Sequence, residues 1–121
     1  MDLEKITIVA KRYNLALLVL FGSRARGDQR QNSDFDLAYL ANQSLPLERE
    51  AELATDLAEI CRGRIDLADI GRASPLLRFQ IFRHGRALYE KEAGLFVERF
   101  LQAARIYEET LPLYKLKLAR L

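Results

Sequence analysis

Two aspartates, Asp34 and Asp36, stand two positions apart in the segment Ser33-Asp-Phe-Asp-Leu37. On a strand, both carboxylates point to one face, about 7 Å apart along the chain. Burying two carboxylates side by side is unfavourable unless a positive charge lies between them. A hard divalent cation meets that need. Magnesium takes oxygen ligands, commonly one or two carboxylates together with substrate phosphates. Asp66, in Ile65-Asp-Leu-Ala-Asp69, is placed to add a third carboxylate from a neighbouring strand. One metal ion, or two about 3.5–4 Å apart, can use such a set in an in-line displacement.

Gly22-Ser23 closes the apolar run Leu15–Phe21. A glycine there lets the backbone approach a phosphate, and backbone N–H groups can cradle it. Ser23 adds a hydroxyl, and Ser33 is expected either to hold the loop or to touch a phosphate oxygen. An isolated Asp-x-Asp is most often a solvated turn. Here it ends a long compound pattern of strand, Gly-Ser, polar spacer and Ser-Asp-x-Asp-Leu. Cradle, acidic ligands and metal are together the parts of phosphoryl-transfer chemistry.

These residues need elements to position them. Leu3, Ile6, Ala10 and Tyr13 recur at helical spacing, which predicts a helix over 3–13 that stops near Asn14. Residues 15–21 predict a strand buried on both faces, punctuated by Gly22-Ser23, and 24–32 a short helical turn and loop. Residues 34–40 alternate and predict a second strand. Pro46 suits a first helical turn, and Leu47, Ala51, Ala54, Ala58 and Cys61 form the expected apolar stripe, ended by Gly63. Residues 64–70 predict a third strand, and Ser74-Pro75 caps a helix closed by Gly85. Residues 87–89 predict a short strand or an extended link. Residues 93–118 predict a long helix with Phe96, Phe100, Ala103, Tyr107, Leu111, Tyr114 and Leu118 near one face, kinked or interrupted at Pro112. The expected plan is α+β, a small mixed sheet flanked by helices, with a core over 1–90 and a C-terminal helical extension over 91–121.

The 121 residues suit one compact domain, and with half of them apolar a core is available. A net charge of +2 argues against a protein that coats nucleic acid, so no direct nucleic-acid binding is expected. The single cysteine, Cys61, fits a reducing compartment, and residues 1–5 do not read as a secretory leader. The longest apolar run is too short to span a bilayer, so a cytoplasmic chain without membrane contact is expected.

At these residues the chain resembles the minimal nucleotidyltransferases of the DNA polymerase β superfamily. The matching positions are Gly22, Ser23, Ala25, Gly27, Ser33, Asp34, Asp36 and Leu37, followed by Ile65–Ile70, Ser74-Pro75, Gly85 and Leu88–Glu90. The resemblance covers roughly residues 3–90. It implies a polymerase β-like core with magnesium and ATP at the strand ends. It gives Asp34 and Asp36 as metal ligands, and Asp66 as a third carboxylate that helps deprotonate the attacking hydroxyl. Gly22, Ser23, Ser33 and Arg24 fall where nucleotide-binding residues are expected. Asp69 is a weaker rival to Asp66, because an odd spacing sends it to the other face.

The whole pattern looks closest to the MntA-type antitoxins of HEPN/MNT toxin–antitoxin pairs. That likeness implies transfer of AMP from ATP to a tyrosine hydroxyl of a HEPN ribonuclease toxin, which is thereby inactivated, and assembly as a homodimer or as a hetero-oligomer with the toxin. The core leaves little surface to enclose an acceptor, which fits an acceptor brought by another protein. An exposed stripe on the last helix would mark a partner surface. If it packs back on the sheet, it is core. A small-molecule hydroxyl, such as that of an aminoglycoside, is the alternative acceptor. Neutralisation by contact alone is the alternative from outside catalysis.

Arg24, Arg26 and Arg30 flank the phosphate loop, where they suit triphosphate, a partner, or a solvated basic loop. His84, the one histidine, reads as structural, and Cys61 as core. Arg78 and His84 match the Arg-x(4–6)-His spacing of HEPN ribonucleases. Among 14 arginines that spacing arises easily by chance, and HEPN folds are all-helical.

Overall fold

The computed structural model describes residues 1–27, 30 and 33–120, with the side chain of Tyr114 excepted. Asp2 opens α1 (Leu3–Arg12) by accepting hydrogen bonds from the amides of Glu4 and Lys5. The chain leaves α1 through Asn14, at φ 54°, and enters β1 (Leu15–Phe21). A one-turn helix, α2 (Gly22–Arg26), follows without a gap. Then come β2 (Phe35–Ala41), α3 (Leu47–Cys61), β3 (Ile65–Asp69) and a 3-10 turn over Ile70–Arg72. Ser74 caps α4 (Pro75–His84), its hydroxyl accepting from the Leu77 amide as the Ser-Pro pair predicts. The last strand is β4 (Arg86–Glu90) and the last helix α5 (Leu95–Ala119). Glu90 ties the two together by accepting from the Phe96 amide at 2.8 Å, which satisfies a free donor of the first turn of α5.

The four strands lie in the order β3-β2-β1-β4. β1 runs antiparallel to β2 and β4, while β3 runs parallel to β2. Helices cover both faces. Leu15, Leu18, Leu20, Leu37 and Tyr39 pack with Ile6 and Val9 of α1 and Leu53 and Leu57 of α3. Leu17, Val19 and Ala38 pack with Ile81 and Phe82 of α4 and Ala103 of α5. β1 is thus buried on both faces, as its unbroken apolar run predicts.

Several expectations need correction. Gly22-Ser23 ends the strand as expected, but it does so by beginning α2 rather than a loop. β2 starts at Phe35, so Asp34 lies just outside it. β3 stops at Asp69, because Ile70 turns into the 3-10 segment. The stripe of α3 is rotated from the one expected. Leu53 and Leu57 are fully buried, whereas Leu47 is 82% exposed. Counting from Leu47 followed the small alanines, but the core takes the larger side chains. α3 ends with Arg62 in the left-handed region at φ 55°, one residue before Gly63. Pro112 lies inside α5 without interrupting it. Phe96 and Phe100 reach Phe82, and Tyr107 stacks on Phe79 at 4.5 Å, so the first part of α5 packs on α4. The stripe does not stay buried to the end, since Leu118 is 66% exposed. The spacer positions 28, 29, 31 and 32, and the Tyr114 side chain, lie outside the described residues.

Candidate active site

The parallel register sets Asp36 of β2 beside Asp66 of β3, and the antiparallel register sets Phe21, the last residue of β1, on the other side of Asp36. One alternation of the pleat then separates the roles along β2. Leu37 and Tyr39 face α1 and α3, while Asp36 and Ala38 face the α4 side. Asp66 shares the Asp36 face. Asp69 faces the opposite way, next to Tyr39, as the odd spacing predicts. There Asp69 accepts from the Gly71 amide and from the Tyr39 hydroxyl, which also donates to Glu50. Its duties are structural.

Asp36 is partly buried and has two acidic neighbours. Burial raises its pKa above the ordinary carboxylate value. Repulsion from Asp66, then from Asp34, adds to the shift, as does a hydrogen bond shared with Asp66, and Arg26 opposes it. The fold therefore holds Asp36 in a position that disfavours its own charge. Among the described residues, no group of three or more carboxylate, imidazole or thiol side chains is gathered tightly enough to hold a metal ion as it stands. Asp34 sits at the exposed lip of the site, its carboxylate 3.4 Å from Nε of Arg64. That pair is open to solvent and contributes little to stability.

Gly22 explains why Asp36 can stand so close to α2. Its φ is +70°, and a Cβ there would overlap the Asp36 carboxyl. The absent side chain is the space the carboxylate occupies. Asp36 and Asp66, side by side with Asp34 at the lip, are oxygen donors of the kind a hard cation would take.

The remaining expected residues separate by position. Gly22 and Ser23 begin α2 beside Asp36. Ser33 holds the returning loop, its hydroxyl accepting from the Arg30 amide at 2.8 Å and its own amide donating to the Arg30 carbonyl. Arg24 donates through Nε and Nη2 to the Ser33 carbonyl, at 3.2 and 2.7 Å, and its guanidinium lies 3.8 Å above the Phe35 ring. Sequence reasoning missed Phe35, Gly63 and Arg64. A phenylalanine between two aspartates reads only as an alternating strand residue, and nothing local marks the chain it meets. By sequence Gly63 reads only as a helix stop. A Cβ there would lie 2.9 Å from Phe35 Cε2, so the glycine also makes room for the ring. Cys61 is half-buried, and burial raises its thiol pKa. Arg78 donates to the carbonyls of Ile70, Gly71 and Ala73 and so braces the 3-10 turn. No helix among the described residues is long and apolar enough to cross a membrane.

This fold and this acidic site define a class. The family model for polymerase beta nucleotidyltransferases matches residues 4–93, and the chain belongs to that family. Within it, the chain is 40% identical over 75 residues to the protein adenylyltransferase MntA of Shewanella oneidensis, covering 62% of this chain and 54% of that protein. It is 30% identical over 107 residues to the protein adenylyltransferase MntA of Aphanizomenon flos-aquae, covering 80% of this chain and 71% of the relative. The match to the first relative thus spans only about half of that protein's length. Among solved structures, a toxin–antitoxin with AMP-PNP superposes with a TM-score of 0.86 at 27% identity, over 99% of this chain and 98% of the other. A toxin–antitoxin MntA-HepT crystal structure superposes with a TM-score of 0.78 at 25% identity, over 98% and 94%. The mixed four-stranded sheet, the flanking helices and the C-terminal helix therefore follow the fold expected from the sequence.

Proposed function

We propose that this chain is the antitoxin of a toxin–antitoxin pair, a magnesium-dependent protein adenylyltransferase that transfers AMP from ATP to a tyrosine hydroxyl of a HEPN-type toxin. The observation that carries the reading is the convergence of Asp36 and Asp66 beside the Cβ-free face of Gly22. Likeness to two proteins named protein adenylyltransferase MntA, and to a toxin–antitoxin structure with AMP-PNP, supports the acceptor class.

In this reading Asp34, Asp36 and Asp66 would hold magnesium, which would supply charge neutralisation at the phosphates when bound. Gly22 and Ser23 bring backbone and hydroxyl donors to the triphosphate. Asp66, the exposed member of the carboxylate pair, accepts the proton of the incoming tyrosine hydroxyl. The hydroxyl oxygen bonds to the α-phosphorus, the bond from that phosphorus to the bridging oxygen breaks, and pyrophosphate leaves.

The test is incubation of the purified chain with magnesium, the HEPN-type protein encoded beside it, and ATP labelled at either the α- or the γ-phosphate. Label from the α-position on a toxin tyrosine, with none from the γ-position, is the expected result. No label on the toxin overturns the proposal.

A further inference from the structure

Arg24 comes from α2, and its guanidinium is committed on two sides. Nε and Nη2 converge on one carbonyl, that of Ser33. Its flat face rests on the Phe35 ring at 3.8 Å. Phe35 is held in turn from the chain that precedes β3. Its amide donates to the Arg64 carbonyl at 2.8 Å, and its ring abuts the Cβ-free side of Gly63. Asp34 lies between the two gripped residues, and Asp36 follows directly. The segment that carries both carboxylates is therefore held on both sides, by α2 and by the turn after α3.

We propose that Arg24 is a positioning residue for the carboxylate pair, acting through the Ser33 carbonyl and the Phe35 ring rather than as a ligand of the triphosphate. The inference rests on the magnesium chemistry proposed above. Arginine suits the task, because a planar fork can chelate one carbonyl while its face stacks on an aromatic ring. Lysine has neither the fork nor the face. Groups that orient a metal ligand commonly change metal affinity or activity by 10–100-fold when removed.

The experiment measures Mn2+ binding to the free chain by electron paramagnetic resonance. It also measures kcat and the KM for ATP at saturating Mn2+, for the wild-type chain and for Arg24→Ala, Arg24→Lys and Phe35→Leu. Circular dichroism selects the variants that fold, and Phe35→Leu, an apolar swap on the ring side, serves if the arginine variants do not. The positioning role predicts Mn2+ affinity weakened about 10-fold or more in Arg24→Ala, no rescue by Arg24→Lys, an intermediate loss in Phe35→Leu, lower kcat, and an unchanged KM for ATP. A raised KM for ATP with wild-type Mn2+ affinity overturns the inference, as does wild-type behaviour throughout. A wild-type chain that binds no Mn2+ overturns the metal chemistry itself, a result read from the unmutated protein and so distinct from any variant's failure.

Discussion

Replacing Gly22 with alanine should damage this protein in two separable ways, and a second glycine allows the separation. Gly22 opens α2 and Gly27 follows its last residue, and both have positive φ, 70° and 79°. An alanine in the left-handed region costs roughly 1–2 kcal/mol at either position. At Gly22 the added Cβ meets the Asp36 carboxyl, while at Gly27 no described residue lies within 4 Å of it. Overpacking of that kind adds about 1–3 kcal/mol. For 121 residues, an unfolding entropy of about 2.1 cal/mol/K per residue makes 1 kcal/mol worth roughly 4 °C in Tm. Gly27→Ala should then lower Tm by about 4–8 °C, and Gly22→Ala by about 8–20 °C. The two should differ more sharply in activity. Moving a carboxylate by about 1 Å can cost on the order of 100-fold, so Gly22→Ala should lose transfer activity at a temperature where it is folded, and Gly27→Ala should keep most of it. Differential scanning calorimetry and α-phosphate label transfer supply the two readouts. Equal losses in the two variants would refute the claim that the space beside Asp36 is what requires glycine at position 22.

Asp36→Asn removes the charge that burial and its neighbours oppose, so it should hold or raise the Tm of the metal-free chain while abolishing transfer and the Tm rise on adding magnesium. The raised Asp36 pKa means that its ionisation weakens the fold as pH climbs through the carboxylate range. Metal-free wild-type protein should therefore lose more stability over that climb than the asparagine variant, as denaturant midpoints across pH will report. Tyr13 is buried and donates to Asp56 at 2.6 Å; burial first, then that bond, pushes its pKa to about 12. The raised value means its contribution is intact below pH 10, the ordinary tyrosine value, and is lost as pH rises toward 12. Tyrosinate absorbance should show one late-titrating tyrosine fewer in Tyr13→Phe, with Tyr39, whose pKa burial also raises, still titrating late. Leu53→Ala should cost about 2–5 kcal/mol in urea unfolding and Leu47→Ala within about 0.5 kcal/mol, and the reverse order would contradict the burial seen for α3.

The carboxylate site was legible because its signal is local. Asp34, Asp36 and the Gly-Ser pair lie within 15 residues, and a period of two decides which side chains share a face. The same period placed Asp69 on the wrong face for the site, and the register agrees. The cap at Ser74 and the apolar run of β1 were legible for the same reason. The stripe of α3 was not. Several faces of that helix carry apolar residues, and which one turns inward depends on the side chains of β1 and β2 it meets.

The sequence by itself pointed to the acidic chemistry proposed for this protein, because carboxylate spacing, glycine position and strand alternation act over a few residues of covalent chain. Only the tertiary structure decided how that chemistry is held in place. The parallel pairing of β2 with β3 brings Asp66 to Asp36 across 30 positions of sequence. Arg24, Phe35 and Gly63 meet only because the turn after α3 returns beside α2. Contacts between residues so far apart depend on where the chain returns, and that is set by the packing of the whole core rather than by any short pattern within it.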